Sequence, residues 1–202
     1  MSPWPSYPFW KIWSSAGQGW KVVLNGKDFP INAQVFVLYP HLKRPTPKDF
    51  SRCFFTSYHS CSKEQTIDLK DRYMLNKPDF LLQKSSFQVT VKISQWYCFK
   101  GPCTLDLKVT FLDGQKQPVQ DVVTYRSPLK ELLYHWNYLE MCTQLSLANV
   151  RYIKFYHGST CNENIEDEDE QKRVGTYLAH AHVSISFPFE DQSKAPLLVV
   201  VE

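Results

Sequence analysis

Two neighbouring segments alternate so regularly between apolar and polar residues that each is predicted to be a strand with one buried face. Residues 87–99, "FQVTVKISQWYCF", place an apolar side chain at every second position from Phe87 to Ile93. Residues 104–114, "TLDLKVTFLDG", do the same from Leu105 onward. A period of two residues is that of a β-strand. Because only a short "GPC" turn separates the segments, we predict that they pair as a β-hairpin.

Other segments show shorter patterns of the same kind. Strands are predicted in residues 19–30 (with an Asn-Gly turn), 51–61, 119–125, 149–158 and 176–187. Two segments allow two interpretations: residues 63–75 form either a strand or a helical turn, and residues 196–202 form either an edge strand or a frayed terminus. Residues 127–142 are predicted to include a helical turn that leads into a strand.

The succession of strand-like segments predicts an all-β fold, a sandwich of two antiparallel sheets. Hydrophobic residues make up 43% of the 202-residue chain, which is enough for a sizeable core. We divide the chain into a Pro- and Trp-rich entry segment (1–18), one sandwich domain (19–188) and a C-terminal tail (189–202).

The charge balance and the apolar runs argue against two classes of protein. The formal net charge is only +3 and basic residues form no cluster beyond short pairs, so we expect no nucleic-acid partner. No apolar run approaches the roughly 18–20 residues of a membrane-spanning helix. The start, "MSPWPSYPFWKIW", lacks the charged and aliphatic regions of a signal peptide. We therefore expect a cytoplasmic protein.

No sequence motif points to catalysis or to a bound metal. The serine-elbow, phosphate-loop, zinc-protease and dinucleotide-binding motifs are absent. The six cysteines form no CxxC pair, and we interpret them as reduced thiols rather than zinc ligands. His180 and His182 are either metal ligands or, as we favour, polar residues of a solvated strand face that Ser184 and Ser186 continue. We predict a protein that is not an enzyme and uses no cofactor.

Aromatic residues cluster where the strand of residues 87–99 ends. Trp96, Tyr97 and Phe99 lie next to the turn, and rings at a loop tip often stack on sugars or anchor a protein partner. Alternatively, Trp96 packs under the predicted hairpin as part of the core. The residue pattern alone thus leads to an all-β binding module and leaves the role of these rings open.

Five segments, in order along the chain, together carry a family resemblance. The segment "CFFTSYHSCSKEQTIDLKD" (53–71) resembles a motif FVTSYxxCxKxQxxDL, and "VTVKISQWY" resembles a strand IxVxDWY. "NVRYIKFYHG" and "GTYLAHAHVSIS" are similar to two later strands, and "GWKVVLNGKDFP" is similar to an entry strand. These motifs are those of the F-box-associated (FBA) domain of the sugar-recognising F-box only proteins. The resemblance runs from about residue 19 to residue 187.

The resemblance implies a jelly-roll-like, galactose-binding-like β-sandwich of about ten strands. It also implies a substrate-recognition module of Skp1–cullin–F-box (SCF) ubiquitin ligases. In glycan-binding members, this domain captures the inner chitobiose of N-linked glycans on misfolded glycoproteins during ER-associated degradation. Such a receptor brings its substrate to the ligase and needs no catalytic residue of its own.

The resemblance also implies where a ligand would bind. Lys172 and Arg173 fall where glycan-binding members have a Tyr-Trp pair, whose indole stacks on the sugar, and Tyr177 keeps the aromatic residue that follows. Lys100 falls on an aspartate of the family, and Gln95 replaces the aspartate of its DWY motif. The candidate glycan- or partner-binding residues are therefore Tyr58, Trp96, Tyr97, Lys100, Lys172, Arg173 and Tyr177.

Two departures from the family affect the expected partners. Only about 18 residues precede the resemblance, so we expect no F-box here, as in relatives such as the nonspecific cytotoxic cell receptor proteins; Skp1 and cullin would be partners only through an F-box supplied elsewhere. In addition, residues 163–170 contain six acidic residues directly before the substituted Tyr-Trp positions. This charged stretch, which we expect to be exposed, favours a protein ligand over a simple glycan as an alternative function.

Overall fold

The computed structural model describes residues 10–14, 21–24, 29–31, 47, 52–56, 60–69, 88–119, 123–127, 134–146, 149–161, 174–186 and 197–201. The strands in these ranges are β1 (Trp10–Ser14), β2 (Lys21–Leu24), β3 (Arg52–Phe55), β4 (Cys61–Asp68), β5 (Gln88–Lys100), β6 (Cys103–Leu112), β7 (Val123–Arg126), β8 (Asn137–Ser146), β9 (Tyr152–Cys161), β10 (Gly175–Ser186) and β11 (Leu197–Val201).

The strands form two sheets. The five-stranded sheet has the order β1-β4-β9-β6-β7, and the six-stranded sheet has the order β2-β3-β10-β5-β8, with β11 also paired to β10. Every strand pairing is antiparallel, so the predicted antiparallel sandwich is confirmed. The predicted number of about ten strands is not matched. The eight strands from β3 to β10 make up the central sandwich, and β1, β2 and β11 extend it to eleven within the described residues.

Both ends of the chain contribute strands. β1 lies inside the Pro- and Trp-rich segment 1–18 and pairs with β4. β11, which pairs with β10, resolves the two interpretations of residues 196–202 in favour of a strand. The domain boundaries drawn from the sequence remain predictions.

The main core lies between the two sheets. Every second residue from Val89 to Ile93 and from Leu105 to Phe111 is fully buried, as the alternation predicted. Phe87 lies outside the described residues. Ile153 and Phe155 of β9 pack into the same cluster as β5 and β6. This shared cluster shows that the apolar faces of the alternating strands point toward each other.

The predicted hairpin between β5 and β6 is wrong. β5 pairs with β8 and β10, whereas β6 pairs with β7 and β9. The "GPC" turn therefore carries the chain from one sheet to the other. Alternation identifies the buried face of each strand, but it does not distinguish two strands that pair edge to edge from two that face each other across a core.

A second buried cluster lies on the opposite face of the six-stranded sheet, which we call its outer face. Trp96 and Cys98 of β5 point away from the main core and pack with Trp136 and Ala179. Residues of β5 after Ile93 are therefore buried on both faces, and the simple alternation of the strand ends there.

β10 departs from the strict alternation predicted for residues 176–187. Its pairing with β5 shifts register between Ala179 and His182, and His180 has a φ of 51°. Because this β-bulge adds a residue, Leu178 and Ala181 both face the interior of the sandwich. Leu178 therefore does not share a face with His182.

A buried hydrogen-bond bridge between the sheets holds this bulge. The side-chain Nε2 of Gln95 donates to the carbonyl oxygens of Trp96 at 2.8 Å and of Ala179 at 2.7 Å. The amide oxygen of Gln95 must then be the acceptor for Nε2 of His157, 2.8 Å away in the other sheet. Neutral His157 is therefore protonated on Nε2 and not on Nδ1.

His157 lies in a polar part of an otherwise apolar interior. It is opposite Lys63 of β4, and both side chains are buried. Burial lowers the pKa of Lys63 well below its usual value, and its Nζ lies 3.4 Å from the centroid of the Phe54 ring. Burial, and then the charge of Lys63, lowers the pKa of His157. The Oε1 atom of buried Gln65 has no hydrogen-bond partner among the described residues.

The turn between β5 and β6 generates a prediction about backbone strain. Gly101 has a φ of 98°, and an added Cβ would lie 2.6 Å from Cγ1 of Val174. We expect Gly101→Ala to lower the free energy of unfolding by about 1–3 kcal/mol. Gly114→Ala is the matched control, because nothing lies within 4 Å of its added Cβ. Denaturant unfolding measures both, and equal small effects would contradict the strained turn.

The bridge generates a prediction about pH. Because the pKa of His157 is lowered in the folded state, the unfolded state binds more protons below the ordinary value of 6.5. Stability is thus expected to fall as the pH drops below 6.5, by up to about 1.4 kcal/mol per pH unit for this group. His157→Gln should flatten this dependence in urea unfolding between pH 7 and pH 5. Parallel curves for variant and wild type would contradict the assignment.

Candidate functional site

Five connections between the described strands meet at one end of the sandwich, which we call the loop end. They are β1–β2, β3–β4, β5–β6, β7–β8 and β9–β10. Lys100 at the end of β5 is opposite Gly175 at the start of β10, and Cys103 at the start of β6 is opposite Cys161 at the end of β9. Connections carried on a rigid scaffold are the usual place for a binding site, so the loop end is the candidate site.

A hydrogen-bond clamp joins the end of β3 to the start of β10. The backbone N–H of Thr56 donates to the carbonyl oxygen of Thr176 at 2.9 Å. The N–H of Thr176 donates to the hydroxyl oxygen of Thr56 at 2.7 Å. The hydroxyl of Thr176 also lies 2.8 Å from that of Ser159 on the other sheet. All three side chains are buried, so the clamp ties both sheets together beneath the connections.

A disulfide between Cys103 and Cys161 closes the loop end on the five-stranded sheet. The expectation that every cysteine is a reduced thiol is therefore wrong for this pair. The two residues are 58 apart in sequence, and only the pairing of β6 with β9 brings them together. Their spacing along the chain carries no signal of this, because the register of the two strands is set by the core.

The predicted site residues of the connections lie mostly outside the described residues. Tyr58, Lys172, Arg173 and the acidic run 163–170 all fall there. The strands that flank them are described, and they bring the ends of the β3–β4 and β9–β10 connections together at the loop end. The roles of Tyr58, Lys172 and Arg173 in binding stay predictions.

Lys100 and Tyr177 do lie at or next to the loop end. Lys100 is the last residue of β5, and its side chain is half-buried. Tyr177 is half-buried on the outer face, where its ring centroid lies 4.4 Å from that of Phe55. The structure thus brings two of the seven predicted residues close to one surface.

Trp96 and Tyr97 are not loop-tip residues, because β5 continues past them to Lys100. Trp96 is fully buried on the outer face, with its ring centroid 5.0 Å from that of Tyr138. The alternative interpretation is confirmed in that Trp96 is buried, but the hairpin under which it was expected to pack does not form. Tyr97 points into the sandwich, where its hydroxyl lies 3.3 Å from that of Tyr125. In this conformation the indole of Trp96 offers no surface for a ligand.

Sequence reasoning missed an aromatic row on the outer face at the loop end. Ring centroids of Phe29 and Tyr177 are 5.4 Å apart, and those of Phe29 and Tyr134 are 6.1 Å apart. The row therefore runs from Phe55 through Tyr177 and Phe29 to Tyr134. The available signal is the aromatic content of "YHWNY" (134–138), a segment that the sequence pattern assigns to a helical turn leading into a strand.

The pair His180 and His182 lies at the bulge of β10. The two rings are stacked, with centroids 5.8 Å apart, and both side chains are half-buried. Burial is the main cause that lowers the pKa of His182, followed by the charge of His180. The predicted solvated face is wrong for Ser184, which is buried, and holds for Ser186. No group of three metal-ligating side chains occurs in the part of the chain that the structure describes.

The fold is similar to several solved structures. The enzymatically active domain of tailspike protein 4 from bacteriophage CBA120 matches with a TM-score of 0.50 and 14% identity over 88% of this chain, which spans 19% of the tailspike chain. TmCBM61, in complex with β-1,4-galactotriose, matches with a TM-score of 0.44 and 10% identity over 88% of this chain and 83% of its own.

A third similar structure is the C-terminal family 22 carbohydrate-binding module of Clostridium thermocellum Xyn10B. Its TM-score is 0.43 at 10% identity, over 90% of this chain and 89% of its own. At these identities the similarities concern the fold alone. A search of curated protein sequences finds no match. Among the described residues, no helix has the length and apolar character required to cross a membrane.

The clamp at the loop end generates a prediction about stability. Thr56→Val keeps the shape of the side chain but leaves the buried N–H of Thr176 without its acceptor. We expect the free energy of unfolding to fall by about 1–3 kcal/mol in denaturant unfolding. Thr66→Val, at an exposed position of β4, should change it by less than about 0.5 kcal/mol. Equal values for the two variants would show that the clamp contributes nothing.

The family comparison covers nearly the whole chain. The profile of the F-box associated region (FBA) matches residues 5–185. That range includes every strand from β1 to β9 and all but the last residue of β10. The chain therefore belongs to the F-box associated (FBA) region family.

Proposed function

We propose that this chain is a non-enzymatic recognition module that binds glycoproteins at the loop end and delivers them to a ubiquitin ligase. Membership of the FBA family over residues 5–185 is the observation that carries the proposal. The association with an F-box in the family's description supports a partnership with Skp1 and cullin through an F-box supplied elsewhere. The substrates in this proposal are misfolded glycoproteins of the cytoplasm.

The geometry of the loop end supports a binding role. The Thr56 clamp and the Cys103–Cys161 disulfide form a rigid base beneath the β3–β4, β5–β6 and β9–β10 connections. A rigid base lowers the entropy lost when the connections engage a ligand. Lys100 and Tyr177 contribute a cation and an aromatic ring at the edge of that base, two groups that suit a sugar with its hydroxyl and C–H surfaces.

Buried cysteines argue for recognition rather than nucleophilic catalysis. Burial, and then the neighbouring Cys53, raises the pKa of the Cys98 thiol to about 12. The reactive form of cysteine is the thiolate, so Cys98 is inert near neutral pH. Cys53 and Cys61 are buried as well. A module that brings a substrate to a ligase needs none of these groups for chemistry.

A protein ligand without a glycan is the second candidate function. The observation in its favour is the acidic run 163–170, which belongs to the β9–β10 connection of the loop end. The full burial of Trp96 also favours this alternative, because one candidate ring for stacking on a sugar is absent from the surface. In this alternative the charged connection contacts a basic protein surface.

Titration with chitobiose tests the proposed function. We expect binding that weakens roughly tenfold in Lys100→Ala, because a charged donor to the ligand is lost. Lys108→Ala is the matched control, since Lys108 is an exposed strand residue away from the loop end. Absence of binding at millimolar chitobiose would overturn the glycan function.

Capture of a denatured high-mannose glycoprotein distinguishes the two candidates. The full chain should retain this glycoprotein, and removal of the N-glycans should abolish retention. If retention survives removal of the glycans, the ligand is protein and the second candidate replaces the first.

A further inference from the structure

Tyr134 is a large aromatic side chain that the sandwich leaves on its surface. It is 48% exposed, and the only other exposed large hydrophobic side chain among the described residues is that of Val119. Its ring contacts Phe29, and through Phe29 it joins the aromatic row that reaches Tyr177 and Phe55. The inner rings of the row are half-buried, so Tyr134 presents the most open ring of the four.

Two hydrogen bonds hold the backbone at Tyr134. Tyr134 has a φ of 61°, a left-handed conformation that bulky residues rarely adopt. Its N–H donates to the carbonyl oxygen of Phe99 at 2.8 Å, and two residues later the N–H of Trp136 donates to the carbonyl oxygen of Pro30 at 2.8 Å. These two bonds hold the backbone from Tyr134 to Trp136, which lowers the entropy cost of using a side chain of this segment for binding.

The bond to Phe99 also places Tyr134 beside Lys100. β8 and β5 pair antiparallel up to Asn137 and Tyr97, and the bond from Tyr134 to Phe99 continues this alignment toward the loop end. Lys100 follows Trp96 and Cys98 at two-residue spacing, so it belongs to the outer face, as the aromatic row does. The backbones of Tyr134 and Lys100 are thus neighbours at the edge of the loop end, and both residues belong to the outer face.

We infer that Tyr134 is the stacking residue for a pyranose ring of the glycan, with Lys100 as the adjoining hydrogen-bond donor. The inference rests on the proposed function and assigns it a contact surface on the outer face. An open, rigid ring packs against the C–H face of a sugar, while the Lys100 ammonium bonds an outward hydroxyl or acetamide oxygen. This surface supplies an aromatic contact that neither Lys172 nor Arg173 provides.

Chitobiose titration of Tyr134 variants tests the inference. Tyr134→Ala should raise the Kd roughly tenfold, whereas Tyr134→Phe, which keeps the ring, should stay within about threefold of wild type. Tyr152→Ala is the matched control, because Tyr152 starts β9 at the end of the sandwich opposite the loop end. Thermal unfolding of each variant confirms that the fold is retained.

Each outcome of this titration decides one question. If wild type binds and Tyr134→Ala binds equally well, the stacking role is overturned while the proposed function stands. If wild type binds no chitobiose, the proposed function fails and the stacking role fails with it. The capture experiment adds a third outcome. If wild type retains the deglycosylated protein and Tyr134→Ala does not, while the affinity for chitobiose is unchanged, the ring contacts a protein ligand and the sugar assignment is wrong.

Discussion

The buried bridge between Gln95 and His157 is the interaction on which the arrangement of the six-stranded sheet depends. One side chain satisfies the carbonyl oxygen of Ala179 at the bulge and, at the same time, an imidazole of the opposite sheet. In an apolar interior, a carbonyl without a partner costs about 1–3 kcal/mol, more than the net gain of an ordinary hydrogen bond. The bulge therefore persists because Gln95 donates the hydrogen bond that the Ala179 carbonyl needs. The bond from His157 to the same side chain keeps the two sheets in one relative position.

The bulge in turn aligns the two halves of β10. Below it, Val183 and Ile185 face the main core; above it, Leu178 and Thr176 face the interior beneath the loop end. Without the extra residue, one of the two halves would turn its apolar side chains to the outer face. The Thr56 clamp forms only because the bulge gives Thr176 the register in which it reaches Thr56 and Ser159. The rigidity of the candidate site thus follows from a contact in the middle of the sandwich.

Local patterns predicted the strands better than their arrangement. The buried positions of β5 up to Ile93 and of β6 followed from alternation because each of these strands has one face against the main core. The hairpin prediction failed because pairing is decided by residues far away in sequence. The β10 bulge was missed since His180, which adopts the positive φ, is not a glycine and carries no turn signal. For the candidate site, the family resemblance predicted the order of the connections along the chain. It did not predict which rings are exposed, because exposure depends on packing. Trp96 is enclosed by Tyr138 and its neighbours, whereas Tyr134 is exposed.

The connections can change without changing the sandwich that carries them. The β9–β10 connection begins after Cys161, which the disulfide holds, and ends before Gly175, which pairs with Lys100. An added Cβ at Gly175 would lie 2.3 Å from the carbonyl oxygen of Thr56, so the chain must enter β10 through a glycine. With both ends held in this way, substitutions between them alter the charge presented to a ligand and leave the core intact. The acidic run lies in this connection, whereas Lys100 belongs to β5, and Tyr134, which precedes β8, is tied to β5 by its hydrogen bond to Phe99.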